Sequence, residues 1–316
     1  MRSSIILTIT GWDAKIWEER FREQDPGRDV RLWPDQVGNP SEIAYACAWK
    51  PPAGWSTHFA NLKVIFSLGA GVDHLLGDPT LPDLPIVRIV DADLTQRMTE
   101  YVVLHTLIYH RRQRIYDDQQ RRRIWHEVNQ PNASEVAVGV MGLGVMGGAA
   151  AEALARLGFK VAGWSSTPKV LPGLTTYAGP NELKAFLADT EILICLLPHT
   201  PATQGILNIR LFRGLKRDGA LGGAYLINAG RGALQIDHDI LTALDDGALA
   251  AATLDVFPQE PLPSRSPFWA HPKVTITPHN AAVSDPRALA GNVLAQIRRF
   301  EQGLPLENVV DRQAGY

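Results

Sequence analysis

Three residues in the last third of the chain have the types and order to do chemistry together: Arg231 in Asn-Ala-Gly-Arg-Gly, Glu260 in Gln-Glu-Pro and His279 in Thr-Pro-His. A guanidinium can grip a planar carboxylate, and an imidazole can give a proton to a carbonyl oxygen. A carboxylate beside that imidazole favours its protonated form. The set suits reduction of a 2-keto acid, because negative charge grows on the keto oxygen as hydride reaches the carbon. Each residue alone also has a structural reading: a surface arginine, a turn at Glu260-Pro261, a satisfied loop histidine. The set gains weight from its placement, since Arg231 and His279 both follow apolar strand-like runs and open α/β sheets bind ligands beyond the carboxyl ends of their strands.

A hydride donor has its own signature upstream. The apolar run at residues 136–141 leads directly into Gly142-Leu143-Gly144-Val145-Met146-Gly147 and an alanine-rich helical stretch. In a strand-turn-helix unit the first glycine permits the tight turn, the second lets backbone approach a pyrophosphate and the third packs the helix closely. A second strand, residues 160–163, completes the context that makes this motif specific for a dinucleotide. An NAD site normally carries an acid about 20 residues on, which accepts from the ribose hydroxyls and repels a 2′-phosphate. Here that place holds Trp164-Ser165-Ser166-Thr167-Pro168-Lys169. Hydroxyls and one ammonium favour NADPH, with NADH still usable.

The elements that must position these residues follow from periodicity. The chain has 316 residues, enough for two domains with separate cores. Strand-like runs at residues 4–9, 44–49, 64–67 and 86–89 alternate with amphipathic stretches, the pattern of a parallel α/β domain. A long helical segment is expected over residues 95–123. A second α/β series follows at residues 136–141, 160–163, 192–196, 225–228, 252–256 and 274–277, and a last helix is expected over 287–301. That helix has no strand of its own and must pack on something already built.

Composition narrows the function classes. A net charge of −2 offers no sequence-wide attraction to nucleic acid or anionic membrane. Arg111, Arg112, Arg114, Arg121, Arg122 and Arg123 cluster in the long helical segment, but Asp117, Asp118 and several glutamines interrupt them. They read as a solvated helix face or a subunit contact. The opening run Ile5-Ile6-Leu7 is too short for a signal h-region, so a cytoplasmic protein is expected. Cys47 and Cys195 lie inside apolar runs and read as buried thiols. The histidines show no metal-ligand spacing, and no metal is expected.

Several further segments recur in a recognisable order: Gly69-Ala70-Gly71-Val72-Asp73, the glycine fingerprint, the loop from Leu197-Pro198 to Thr203, Asn228 to Gly232, Leu254 through Leu262, and Thr277-Pro278-His279. Over nearly its whole length the chain resembles the D-2-hydroxy acid dehydrogenase family, in its glyoxylate/hydroxypyruvate reductase A branch, down to Trp49-Lys50-Pro51-Pro52. The resemblance implies a flavodoxin-like substrate domain, residues 1–96 and 288–316, wrapped around an inserted Rossmann cofactor domain, residues 97–287, with substrate in the cleft. It implies that Arg231 binds the substrate carboxylate and keto oxygen, that His279 is the acid/base and that Glu260 pairs with it. Backbone amides of Gly69, Ala70 and Gly71 would hold the carboxylate, and Trp49 would wall the pocket. Leu197, Pro198, Thr203, Ala229, Gly230 and His279 would line the cofactor alongside the fingerprint and Ser165 to Lys169, with Asp255 at the nicotinamide carboxamide. A homodimer is expected, with Trp125 as a candidate inter-subunit residue.

The expected activity is reduction of glyoxylate to glycolate and of hydroxypyruvate to D-glycerate. Alternatives are a relative for larger 2-keto acids with a wider pocket at Trp49, and a dinucleotide-sensing corepressor of the same superfamily. The chain departs from the family pattern at Gly230, where alanine or serine is usual and glycine leaves the backbone freer. It also departs in an apparently lengthened approach to the Arg231 strand, residues 216–224, which suggests a bulged loop, and in Ser166 and Pro168, where the branch often has arginines.

Overall fold

The computed structural model describes residues 3–316. From the amino end run β1 (Ser4–Ile9), α1 (Ala14–Gln24), β2 (Val30–Leu32), β3 (Ile43–Trp49), β4 (Val64–Ser67), α2 (Asp73–Leu76) and β5 (Ile86–Val87). Then come α3 (Ala92–His110), α4 (Gln113–Arg122), β6 (Ala137–Met141), α5 (Val145–Arg156), β7 (Lys160–Ser165), β8 (Thr175–Ala178), α6 (Gly179–Ala188) and β9 (Ile192–Cys195). The chain continues through α7 (Ile209–Arg213), β10 (Tyr225–Asn228), α8 (Asp237–Asp245), β11 (Ala251–Leu254) and β12 (Val274–Ile276), and ends with α9 (Pro286–Glu301). Two compact units result: one from the described residues up to Leu94 together with Ser284–Tyr316, the other Thr95–Val283.

The first unit holds a five-stranded parallel sheet in the order β2-β1-β3-β4-β5, the flavodoxin-like arrangement. Its central strands are buried on both faces, with Ile5, Ile6, Leu7, Ala46, Cys47, Val64 and Ile65 wholly inaccessible. Covered on both faces, such strands read as continuous apolar runs rather than alternating ones. The final helix α9 packs on α1, and Gln24 Nε2 donates to the carbonyl of Arg287. Asp285 caps α9, its carboxylate accepting from the Arg287 amide at 2.9 Å.

The second unit holds a seven-stranded parallel sheet, β12-β11-β10-β9-β6-β7-β8. Counted from β6, this is the Rossmann order 3-2-1-4-5-6 with a seventh strand added, and its strand order reverses between β6 and β9. The edge strand β8 and the first unit's edge strand β2 escaped the sequence reading. Both are short and partly exposed, and Val30-Arg31-Leu32 and Thr175–Ala178 carry no continuous apolar run.

The helical segment expected over residues 95–123 is broken. Arg112 adopts a left-handed backbone, φ 57°, between α3 and α4. Its guanidinium donates to the Leu221 carbonyl at 2.8 Å and to the Tyr225 hydroxyl at 3.2 Å. Arg114 likewise reaches Thr275 and the Pro272 carbonyl. Two members of the arginine cluster are therefore internal struts, whereas Arg121 and Arg122 are exposed and pair with Asp118. Residues 216–224 form a turn-rich loop that enters β10 at its amino end, opposite the end carrying Arg231. Buried Glu191 accepts from the Leu221 amide there. The lengthened approach is thus no bulge at the site.

Cys47 and Cys195 are free and buried, and burial pushes both thiols up. Among the described residues no helix is long and apolar enough to cross a membrane. Along α3, His105 and His110 are buried, and each has an Nδ1 with no hydrogen bond. Burial holds both imidazoles below the ordinary histidine range; Asp255 opposes this at His105, and Arg111 and Arg112 add to it at His110. The unfolded chain therefore takes up these protons first. Stability is full above the ordinary histidine pKa of about 6.5 and declines as pH falls below it toward the lower folded values. The urea midpoint should fall between about pH 7.5 and about pH 5.5, and the fall should narrow in a His105→Phe/His110→Phe double variant.

Candidate active site

The carboxyl ends of the second sheet's strands carry the predicted residues on adjoining loops. After β6, Gly142 takes φ 101°, a turn open only to glycine. A Cβ at Gly147 would lie 1.7 Å from the Gly142 carbonyl oxygen, so the third glycine is what lets α5 sit against its own turn. Around Gly144 a Cβ would meet nothing within 4 Å. The second glycine therefore faces open space at the amino end of a 12-residue helix, where a pyrophosphate fits. Leu143 is buried and packs beneath Gly163, while Val145 is exposed and Met146 half-buried.

The neighbouring loops are shaped by small polar groups. Ser165 is buried and its hydroxyl donates to the Thr167 carbonyl at 2.7 Å, which leaves Ser166, Thr167 and Lys169 exposed on the turn after β7. After β9, Thr203 closes the segment from Leu197 by donating to the Pro198 carbonyl at 2.7 Å and accepting from the Thr200 amide at 2.8 Å. Leu197 itself is buried in the core. Ser165, Thr203 and Leu197 thus shape or anchor these loops from inside, while Ser166, Thr167 and Lys169 are the groups turned to solvent. Ala229 and Gly230 follow β10 and are buried. Gly230 does not use the left-handed region. A Cβ there would stand 2.8 Å from the Leu197 carbonyl oxygen and 2.9 Å from Leu234, so the glycine serves close approach of two loops rather than backbone freedom.

Arg231, Glu260 and His279 follow β10, β11 and β12, three adjacent strands. Asn228 shapes the first loop: its side-chain oxygen accepts from the Gly230 amide and its Nδ2 donates to Gln235 at 2.8 Å. Arg231 then leaves the strand in extended backbone, with Nη1 donating to the Gly230 carbonyl at 2.8 Å. Gly232 brings the second loop against the first, since a Cβ there would fall 2.0 Å from Phe257 backbone. In the second loop Glu260 Oε1 accepts from the Phe257 amide at 3.1 Å, and Oε2 lies 2.8 Å from His279 Nδ1. His279 thus turns Nδ1 to Glu260, which leaves Nε2 as the ring nitrogen that does not face the carboxylate.

Asp255 is turned inward. Its carboxylate is 1% exposed and accepts from the Thr277 hydroxyl at 2.6 Å and from the amides of Asn280 and Ala281 at 3.0 Å each. These bonds hold Asp255, expected at the nicotinamide carboxamide, within the protein on both carboxylate oxygens. Asn228 and Thr277 lie in the sequence motifs without an assigned role; the structure shows them as supports of the loops.

In the first unit, Trp49 ends β3 and the Gly69-Ala70-Gly71 loop follows β4. A Cβ at Gly69 would lie 2.2 Å from the Trp49 ring. Trp12, beyond β1, stacks on that ring at 4.3 Å between centroids and 9° between planes, and His74 meets it edge-on at 4.9 Å. Trp12 was not singled out from sequence because it lies in a loop with no motif. The stack lies past β1 and β3, where this sheet's strand order reverses. Ser67 Oγ draws the carbonyls of Gly69 and Gly71 inward at 2.9 and 3.1 Å. Among the described residues no group of three or more metal-ligating side chains occurs.

Comparisons with known proteins agree with this architecture. Residues 103–281 match the model of the D-isomer specific 2-hydroxyacid dehydrogenase NAD binding domain. The chain is 42% identical over 319 aligned positions to glyoxylate/hydroxypyruvate reductase A of Yersinia enterocolitica, covering 99% of this chain and 100% of that one. Among solved structures it is similar to the NADPH-dependent glyoxylate/hydroxypyruvate reductase of Sinorhizobium meliloti in complex with NADP and sulfate. That likeness has 46% identity, a TM-score of 0.95 and full coverage of both chains. A probable 2-hydroxyacid dehydrogenase of Rhizobium etli, in complex with NADP, HEPES and tartaric acid, gives 47% identity and the same TM-score over the whole of both chains. The chain therefore belongs to the D-isomer specific 2-hydroxyacid dehydrogenase family, and is an NAD(P)-dependent oxidoreductase of its glyoxylate/hydroxypyruvate reductase A branch.

Proposed function

We propose that the protein reduces short 2-keto acids with NADPH, glyoxylate to glycolate and hydroxypyruvate to D-glycerate. The observation that carries this reading is the His279–Glu260 contact at 2.8 Å beside the loop that bears Arg231. Arg231 holds the substrate carboxylate and keto oxygen and offsets the charge that grows there. His279 donates its Nε2 proton to that oxygen, while Glu260 keeps the imidazole oriented and supports its positive charge. The bound nicotinamide supplies the hydride. Gly142, Gly144 and Gly147 hold the pyrophosphate at the α5 amino end, and Ser166, Thr167 and Lys169 meet the 2′-phosphate. Amides of Ala70 and Gly71 take part in holding the substrate carboxylate, whereas the expected Gly69 amide is buried and donates to Ser67 Oγ at 3.3 Å.

The Trp12 stack supports a small substrate, because it backs the Trp49 ring as a wall of the substrate pocket. Trp49→Ala should raise kcat/KM for a branched six-carbon 2-keto acid relative to glyoxylate by about tenfold, the scale of a methylene or two in an apolar pocket. We further propose that the protein is a homodimer. Fully exposed Trp125, with Ile115 and Ile124 also exposed, supports it. Light scattering of the eluted protein checks for a two-chain particle.

The direct test is steady-state reduction of glyoxylate, hydroxypyruvate and pyruvate, with NADPH and NADH in parallel. Glyoxylate and hydroxypyruvate should lead, and NADPH should be preferred by about tenfold, the worth of a charged hydrogen bond or two to the phosphate. Equal use of NADH would remove the cofactor assignment, and inactivity with all three acids would remove the reaction.

A further inference from the structure

His279 holds an unusual backbone, φ 53°, in the left-handed region that a non-glycine residue occupies only when its surroundings impose it. The surroundings are specific. The His279 amide donates to the Asp255 carbonyl at 2.8 Å and to the Thr277 carbonyl at 3.1 Å. The next two amides, of Asn280 and Ala281, both point at the Asp255 carboxylate. The turn that presents the imidazole is therefore wrapped around one buried anion.

That anion has a further donor chain behind it. The Thr277 hydroxyl has one proton and gives it to Asp255 Oδ1 at 2.6 Å. The Tyr101 hydroxyl, 2.7 Å from Thr277 Oγ1, must then be the donor in that contact. Tyr101 sits on α3 and is 9% exposed, and burial pushes its phenol up, so it remains protonated. Consecutive hydrogen bonds of this kind polarise one another and fix the orientation of the terminal acceptor.

Resting on the proposed role of His279 as acid/base, we infer that Tyr101 is a positioning residue for this histidine, acting through Thr277 and Asp255 on the turn that carries it. The phenol orders the hydroxyl, the hydroxyl and two amides fix the carboxylate, and the carboxylate fixes the backbone from which the imidazole reaches Glu260.

The molecule provides its own control. Tyr109, two turns further along α3, makes the same kind of bond, its hydroxyl lying 2.7 Å from Thr253 Oγ1 in β11. That pair is buried and is no part of the chain leading to Asp255. Tyr101→Phe and Tyr109→Phe should lower the thermal midpoint comparably, each losing one buried hydroxyl contact. Only Tyr101→Phe should raise hydrogen exchange at the amides of residues 279–281, by about tenfold, because local opening of that turn becomes easier. Only Tyr101→Phe should lower kcat, by about tenfold, with KM for the cofactor within about twofold. Thr277→Val should do the same, and Thr277→Ser, which keeps the hydroxyl, should restore both values.

Equal exchange and equal kcat in the two tyrosine variants would overturn the inference. So would faster exchange with unchanged kcat, or slower turnover with unchanged exchange. If the wild-type protein reduces no 2-keto acid, the functional reading fails by itself. Exchange then decides alone: faster in Tyr101→Phe it upholds the anchoring, and unchanged it overturns it.

Discussion

Arg231→Ala is expected to lower kcat/KM for glyoxylate by about a thousandfold or more, the largest loss of any single side-chain truncation at this site. Two effects combine. Removing one preorganised donor from a developing oxyanion costs about 10²- to 10³-fold, and the same guanidinium also orients the carboxylate of so small a substrate. Arg231→Lys should recover only part of the loss, because an ammonium keeps the charge but not the planar fork. The loop should survive both changes, since Asn228, Gly230 and Gly232 shape it beside the arginine's own bond to the Gly230 carbonyl. Near-UV circular dichroism unchanged from wild type, together with the kinetic loss, is the expected pair of results. A variant within about tenfold of wild-type kcat/KM would show that Arg231 does not touch the transition state.

Gly147→Ala is expected to damage both folding and cofactor binding. Its Cβ would arrive 1.7 Å from the Gly142 carbonyl oxygen, a backbone atom that no rotamer change can move away. Overpacking of this kind costs about 1–3 kcal/mol or more, a fall of several degrees in the thermal midpoint for a domain this size. The shift separates α5 from the turn that Gly142 makes, so the dinucleotide KM should rise by about tenfold or more. Gly144→Ala separates the two effects. Its backbone, φ −74° and ψ −167°, suits alanine, and nothing lies within 4 Å of the added carbon. Stability should therefore stay within about 0.5 kcal/mol. Cofactor affinity should still drop, because the methyl group occupies the space where the pyrophosphate comes near the chain. Differential scanning fluorimetry with and without NADPH reads both variants. A Gly144→Ala protein with wild-type cofactor affinity would move the pyrophosphate elsewhere.

Much of the architecture is legible in the chain because its central strands are covered on both faces. The runs at Ile5, Val64, Ala137, Ile192 and Tyr225 are apolar without alternation, which is what parallel sheets buried by helices require. The edge strands β2 and β8 were invisible for the complementary reason, being short and half in solvent. The break at Arg112 was equally hidden. A continuous helical pattern crosses it, and the partners of the Arg112 guanidinium at the break, the Leu221 carbonyl and the Tyr225 hydroxyl, come from more than 100 positions away.

At the site, the sequence by itself determined which polar side chains follow the strand ends, Arg231, Glu260 and His279, the proposed reacting groups, and the three glycines with distinct spatial needs. Residue type and local periodicity carry that information, because chemistry is a property of side chains and strand burial is a property of short segments. The tertiary structure alone decided how the trio is held. The Glu260 contact at 2.8 Å, the inward turn of Asp255 and the chain from Tyr101 through Thr277 join residues up to 176 positions apart. Hydrogen bonds between such distant residues depend on the packing of whole strands and helices, and no local pattern in the chain encodes them.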